Sequence, residues 1–256
     1  MSSLPPGFDL MGSHSGAVAV EMFDSLRDLR IELPVVASVD APLRQPVDKR
    51  SLHQLGLFYS RILARPAVGQ PPVTAVIRID DPERRYVPRR VRVRVIDPAT
   101  PALRLRRVDL FPGAAWPGLS GATGLRGRVQ TAAGATVRWA RVEARLDGAV
   151  VGRAHGDDRG EFLLLLWPAV AAGGDPGPTV SVRVRVFTPS PLPEPASFAS
   201  DALGDLVIES VDLADGQSAP LARGVGIPPG YGAAPLQRQV LFTVGRIRTD
   251  EAAFIV

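Results

Sequence analysis

Val73-Thr-Ala-Val-Ile-Arg-Ile-Asp-Asp-Pro-Glu-Arg-Arg-Tyr-Val-Pro-Arg-Arg-Val-Arg-Val-Arg-Val-Ile96 reads as two strands joined by a turn. Val73 to Asp80 is β-branched and apolar, as a strand on a half-buried sheet is. Asp81 to Tyr86 carries a Pro at a favoured turn position. Val91 to Ile96 then alternates. Val91, Val93 and Val95 fall on one face, Arg92 and Arg94 on the other. A residue period of two with one wet face predicts a sheet packed on one side.

The same signals recur on both sides of this unit. Leu55 to Leu63 and Leu103 to Leu110 read as strands. Val18 to Leu33 fits a strand running to a turn at Asp24-Ser25, or a short helix through Arg30. The strand reading is preferred, because Arg30 to Val36 then continues as a second strand. Beyond the Gly/Pro-rich loop Pro112 to Gly124 lie Leu125–Thr131, Ala140–Leu146, Val150–Ala154, Glu161–Trp167 and Val180–Phe187. Asp147-Gly148 is a hairpin turn. Val180 to Val186 repeats the Val/Arg alternation. Leu206–Leu213 and Gln237–Val244 complete the set. Short strands punctuated at this spacing predict an all-β protein of two tandem antiparallel β-sandwich domains. The expected organisation is an arm over 1–16, an Arg-rich sandwich over 17–120, a second sandwich over 121–222 and an extension over 223–256 with a docking strand.

Composition agrees. The chain has 256 residues, enough for two ordinary cores. It holds 25 Gly, 25 Pro and no Cys. That much Pro disfavours long helices, and without Cys there are no disulfides or thiolate sites. Residues 1–9 lack the basic and apolar regions of a signal peptide. The longest aliphatic run, Phe162 to Trp167, is far too short to span a bilayer. Cytosolic synthesis and a cytoplasmic location are therefore expected. Only Lys49 is lysine, and the other 29 basic residues are arginine. Residues 1–121 carry 17 basic and 12 acidic residues, net +5, while 122–256 carry 13 and 14, net −1. An electrostatic partner surface is expected in the first half.

No catalytic or metal-binding motif is complete in the sequence. The histidines His14, His53 and His155 open no metalloprotease motif; His155 reads as a solvent-facing turn residue. Asp157, Asp158 and Glu161, with Arg159 among them, make a poor cation loop and a good structural turn. No G-x-S-x-G pentapeptide occurs. Lys49 follows no Gly-rich loop, so a P-loop is excluded. No cofactor or metal is expected, and the chain reads as non-catalytic.

Residues 125–166 resemble the carboxypeptidase regulatory-like family, a transthyretin-like β-sandwich, and place that domain at about 122–222. The likeness lies in Gly127-Arg-Val129, the turn at Gly134, Ala140-Arg-Val142 and Asp157-Asp-Arg-Gly160-Glu-Phe162, followed by Leu164. Gly156 departs from the family's usual Thr. The resemblance implies a fold and little about activity. In physical terms Asp157 should cap a tight turn, Gly160 take a positive φ and Phe162 plug the core. A looser likeness, of an Arg-rich β-domain with a hairpin such as Asp81 to Pro88 ahead of such a module, is similar to accessory proteins of phage-tail-like contractile injection systems.

The functional expectation is a non-catalytic structural or assembly component of a multi-protein particle, acting by protein–protein docking. The particle implied is a contractile injection system, and the partners are other protein subunits rather than a membrane. The docking elements are Arg84, Arg85, Arg89, Arg90, Arg92 and Arg94 with the apolar end Phe254, Ile255 and Val256. The Arg-rich stretch has three readings: a solvated strand face, a docking face for acidic protein, and a phosphate-binding face. Tyr86 alone offers base stacking, which disfavours nucleic acid. The alternative function is a soluble binding module for carbohydrate or nucleic acid.

Overall fold

The computed structural model describes residues 19–31, 35–39, 73–95, 105–118, 120–167, 178–192, 201–210, 230–232, 236–249 and 253–256. Its strands are β1 (Ala19–Asp24), β2 (Leu29–Arg30), β3 (Val36–Val39), β4 (Val73–Asp80), β5 (Arg89–Val95), β6 (Leu105–Leu110), β7 (Gly124–Gln130), β8 (Arg141–Leu146), β9 (Ala149–His155), β10 (Glu161–Leu166), β11 (Thr179–Phe187), β12 (Ile208–Ser210), β13 (Leu236–Thr243), β14 (Ile247–Thr249) and β15 (Phe254–Ile255). No helix occurs among the described residues. The fold is all-β, and β1 takes the strand alternative for the opening segment. The expected arm and the strand expected at 55–63 lie outside the described residues.

The strands form three sheets, ordered β2-β1-β6, β12-β5-β4-β3 and β13-β11-β8-β9-β10-β7-β14, with β15 also on β7. Sequence neighbours such as β4 and β5 pair antiparallel. Four pairings brought together from afar are parallel instead: β1 with β6, β12 with β5, and both β14 and β15 with β7. Strands with long connections between them can meet in either direction, whereas a tight hairpin allows only one.

The first two sheets enclose a core that includes Met22, Ile77, Ile79, Val91, Val93, Val108 and Leu110. Val91 and Val93 are buried and Arg92 is exposed, as the alternation requires. The loop between β4 and β5 is organised by Asp81. Its carboxylate accepts the backbone N–H groups of Glu83, Arg85 and Tyr86 at 3.1, 3.0 and 3.2 Å. The Tyr86 hydroxyl donates to Asp24 Oδ2 at 2.8 Å, tying the loop to the end of β1.

The third sheet turns a corner at β9–β10, where only Leu165 and Leu166 pair with Arg153 and Gly152. Its two leaves face each other across a second core. Leu125, Val129, Phe162, Leu164 and Phe254 come from one leaf, and Val142, Ala144, Val182, Val184 and Phe242 from the other. Phe162 lies opposite Gly127 on β7. A Cβ at Gly127 would stand 2.5 Å from Phe162 Cζ, so the glycine makes the space the ring fills. Phe254 meets that ring edge-on, with centroids 5.6 Å apart. Asp157 Oδ1 accepts the N–H groups of Arg159 and Glu161, both at 2.9 Å, and Gly160 has φ 71°. The turn expected before Phe162 is thus formed.

Strand β10 has no wet face. Phe162, Leu164 and Leu166 enter the second core, while Leu163 and Leu165 enter the first. Residues 201–210 cross the other way: β12, expected within the second sandwich, lies parallel on β5 of the first sheet. Val87, Trp139 and Leu206 pack as a small third cluster where these segments meet.

Phe162→Ala is expected to cost roughly 3–5 kcal/mol in urea unfolding, since its ring is enclosed and its cavity cannot collapse onto a glycine. Gly127→Ala is expected to destabilise as well, by forcing the ring off its position. A loss below about 1 kcal/mol for Phe162→Ala would show that the ring is not the plug.

Candidate docking surfaces and a buried charge cluster

The arginines singled out in the sequence divide into two groups. Arg84 is exposed, adopts φ 56° and reaches Asp158 on the opposite turn at 3.4 Å. Arg92 is exposed on β5. Arg94 lies on β5, and its side chain is outside the described residues. The other three are not available to a partner. Arg85 grips Asp81 through Nε and Nη2, both at 3.1 Å. Arg90 donates to the carbonyls of Gly204 and Leu206 at 2.8 and 3.0 Å. Arg89 points to the same side as Val91 and is buried, donating to the Asp109 carbonyl at 2.6 Å and to Glu209 at 2.9 Å. A docking face built from all six is therefore corrected: Arg85, Arg89 and Arg90 already have their acceptors within the chain.

Those acceptors belong largely to residues 201–210, which act as a strap. Arg78 makes a two-pronged ion pair with Asp201 at 2.8 and 2.7 Å. Arg138 pairs with Asp205 at 2.8 Å. Glu209 receives Arg89 from β5 on one oxygen, and Arg141 from β8 on the other at 2.6 Å. The strap thus carries three carboxylates and binds arginines of both halves. Arg forks match carboxylate geometry, and largely enclosed pairs of this kind are screened much less than pairs in open solvent. Burial pushes the Glu209 carboxyl up, but Arg89 and Arg141 outweigh it and hold it below the ordinary range.

Around this pair lies a shell the sequence did not disclose. The Arg141 guanidinium lies 5.0 Å from the Tyr231 ring centroid, and the Tyr231 hydroxyl donates to the Trp139 carbonyl at 2.9 Å. Burial, partly opposed by Arg141, pushes the Tyr231 phenol up to about 12. Trp139 is fully buried with φ 62°, a strained conformation for a non-glycine. His155, read from the sequence as a solvent-facing turn residue, ends β9 instead. It is buried and stacks on Phe111 at 3.7 Å. Burial first, then the charges of Arg141, Arg89 and Arg153, lower its pKa well below the ordinary imidazole value. The outlying signals were a Glu in the apolar run Leu206 to Val211 and an Arg between Ala140 and Val142.

No group of three or more His, Cys, Asp or Glu residues is placed to hold a metal ion among the described residues. His14 and His53 lie outside them. No described helix is long and apolar enough to cross a membrane. The C-terminal docking residues behave differently from one another. Phe254 is buried in the second core, whereas Ile255 and Val256 are 48% and 37% exposed. β15 pairs with β7 and leaves its other edge unpaired among the described strands.

No family model matches the chain, and no curated protein matches it in sequence. Among solved structures it is similar to the Bacillus anthracis TIE protein, at 11% identity and a TM-score of 0.26, covering 94% of this chain and 33% of that one. It is also similar to a streptococcal ancillary pilin, at 9% identity and a TM-score of 0.22, covering 96% and 62%. The chain thus spans under two thirds of the length of each. At these TM-scores neither likeness bears on fold or role.

Glu209→Gln is expected to destabilise the protein by about 3–5 kcal/mol in chemical unfolding, because two enclosed guanidinium groups lose their counter-charge. Replacing Arg89, Glu209 and Arg141 together with apolar residues of similar volume should cost far less than the single change. A mild effect of Glu209→Gln would place the cluster in contact with water. His155 supplies a pH test. The folded state keeps it neutral while the unfolded chain protonates below 6.5, so stability falls as pH drops through that value. The slope approaches about 1.4 kcal/mol per pH unit. His155→Phe should flatten the thermal midpoint between neutral pH and mildly acidic pH; an unchanged profile would assign the dependence to other groups.

Proposed function

We propose that the protein is a non-catalytic structural component of a multi-protein assembly, joined to its neighbours by protein–protein docking. The observation that supports this is the C-terminal edge. Phe254 anchors β15 in the core, Ile255 and Val256 stand exposed, and the far edge of the strand pairs with no described strand. Unpaired strand edges with apolar side chains favour strand addition, and natural monomers usually blunt them with charge or Pro. A partner strand laid beside β15 would cover both aliphatic residues and satisfy the open backbone groups.

Arg84 and Arg92, the exposed members of the Arg-rich stretch, are the charged docking element of the same proposal. Rim charges of this kind steer encounter more than they hold the complex. The carboxypeptidase regulatory-like identity of residues 122–222, a contractile injection particle as the setting, and assembly in the cytoplasm belong to the same proposal. The turn at Asp157–Gly160 and the Phe162 plug are what speak for the first of these.

In lysate of the source cell, the wild-type protein is expected to sediment with a particle much larger than its 27.2 kDa mass. Ile255→Asp with Val256→Asp should release it to the monomer fraction with little change in thermal midpoint, both side chains being outside the core. Arg92→Glu should chiefly weaken retention at low salt and make it less salt-sensitive. Full retention of the double Asp variant in the heavy fraction would rule out this edge as the seat.

A further inference from the structure

The outer face of the leaf β9-β8-β11-β13 forms a grid whose rows follow from its register. His155, Arg141 and Phe187 make one row, and Arg153, Glu143, Arg185 and Gln237 the next. Arg145, Arg183 and Gln239 make the third, and Ser181 and Leu241 the last. The first row holds Arg141, whose charge is met by Glu209 of the strap. The second is partly neutralised by its own carboxylate. Glu143 is buried and receives Arg145 at 3.3 Å, Arg153 at 3.2 Å and Arg185 at 3.7 Å.

In the third row Arg145 has only the Glu143 that it shares with Arg153 and Arg185. Arg183 stands directly across from Arg145, and Arg183 is exposed with no carboxylate partner among the described residues. Like charges directly opposite on neighbouring strands destabilise a sheet. Arg145 also donates to the Gly148 carbonyl at 3.0 Å, which holds its head at the hairpin end of the row. Here the face is concave. A groove of about 370 Å³ is lined by Arg145, Arg183 and Arg185, by Ser181, Gln237 and Gln239, and by Asp147. That volume lies within the range of small-ligand sites, roughly 300–1,000 Å³. Counting Arg145, Arg153, Arg183 and Arg185 against Glu143 and Asp147, four charges against two, the groove region is net +2.

We propose that this groove binds an acidic oligosaccharide, with carboxylate or sulfate groups taken by Arg183 and Arg145 and hydroxyls by Gln237, Gln239 and Ser181. Charge complementarity selects an anion, since an anionic group between Arg183 and Arg145 removes their repulsion. The amide and hydroxyl groups select the rest of the ligand. Gln239 Nε2 donates to Ser181 Oγ at 2.8 Å, so the amide is positioned, and its oxygen remains to accept from a sugar hydroxyl. No aromatic side chain lines the groove. Neutral sugars and unpaired bases are commonly held by stacking, which this surface does not offer. The site is separate from the β15 edge and does not depend on the docking reading.

The test is calorimetric titration of the full chain at low salt with three probes: a heparin tetrasaccharide, an oligogalacturonate and maltotetraose. The two acidic probes are expected to bind and the neutral one not. Arg183→Glu should weaken the acidic probes by about tenfold or more, the loss of one charge-assisted contact. Arg92→Glu, the same charge change on the other half, should leave binding within about twofold, well below that loss. Because Arg183→Glu also replaces a repelling pair by an attracting one, its thermal midpoint should not fall. If it does fall, Gln239→Ala carries the same test at an uncharged position and should weaken both acidic probes. No binding of either acidic probe by the wild type would overturn the proposal. So would equal losses from Arg183→Glu and Arg92→Glu, which mark diffuse charge attraction. Oligothymidylate bound as tightly, with the same dependence on Arg183, would replace the glycan by nucleic acid.

Discussion

Five arginines converge on ten residues. Arg78, Arg89 and Arg90 come from β4 and β5, Arg138 and Arg141 from the approach to β8 and its start, and all meet the strap 201–210. The strap cannot bury apolar surface on the scale of a core; Leu206 is its one fully enclosed aliphatic side chain. Its position is therefore set by the β12–β5 ladder, by ion pairs and by carbonyls that arginine satisfies, with Leu206 as the apolar anchor. Fixing Glu209 between Arg89 and Arg141 also fixes the distance between β5 and β8. The junction has a defined geometry because a carboxylate has two oxygens and each is used.

Strand β10 supplies the complementary constraint. A strand with alternate residues in two cores cannot be displaced from one without opening the other. Leu163 and Leu165 close the first core from outside its own sheets, so the two halves share hydrophobic surface as well as charge. Six successive residues with one glutamate at the head, Glu161 to Leu166, are the sequence counterpart of that double burial. A run of this kind is what a strand covered on both faces requires.

The sequence revealed what is local and concealed what is not. The hairpin 73–95, the turn at Asp157–Gly160, the alternation in β5 and the Phe162 plug all depend on neighbours within a few residues, and each could be placed. Arg89 could not. By period it shares a face with Val91 and Val93, yet its arginine identity argued for water, and the conflict resolves only through Glu209, distant by 120 positions. For Arg89 and Arg90 the acceptors lie in the chain's own strap. His155 was misplaced for a related reason: the Phe111 ring that covers it comes from the other side of the molecule's junction. The groove residues Arg183 and Gln239 lie on two legible strands, β11 and β13, while their convergence depends on the pairing of β11 with both β8 and β13.

The parallel seating of β14 and β15 on β7 sets an order of events during synthesis. Strand β7 leaves the ribosome more than a hundred residues ahead of Phe254, and β10 covers only one of its edges. Until residues 247–255 emerge, Val129 and the rim of the Phe162 ring face solvent along that second edge. The nascent chain therefore passes through a stage in which an almost complete sandwich presents an open backbone and an uncapped aromatic. Long-range closure of this sort is slow compared with hairpin formation. At about 5–20 residues per second the stretch from the end of β13 at Thr243 to Ile255 follows within roughly one to two seconds, and for that interval the open edge of β7 is exposed to neighbouring chains.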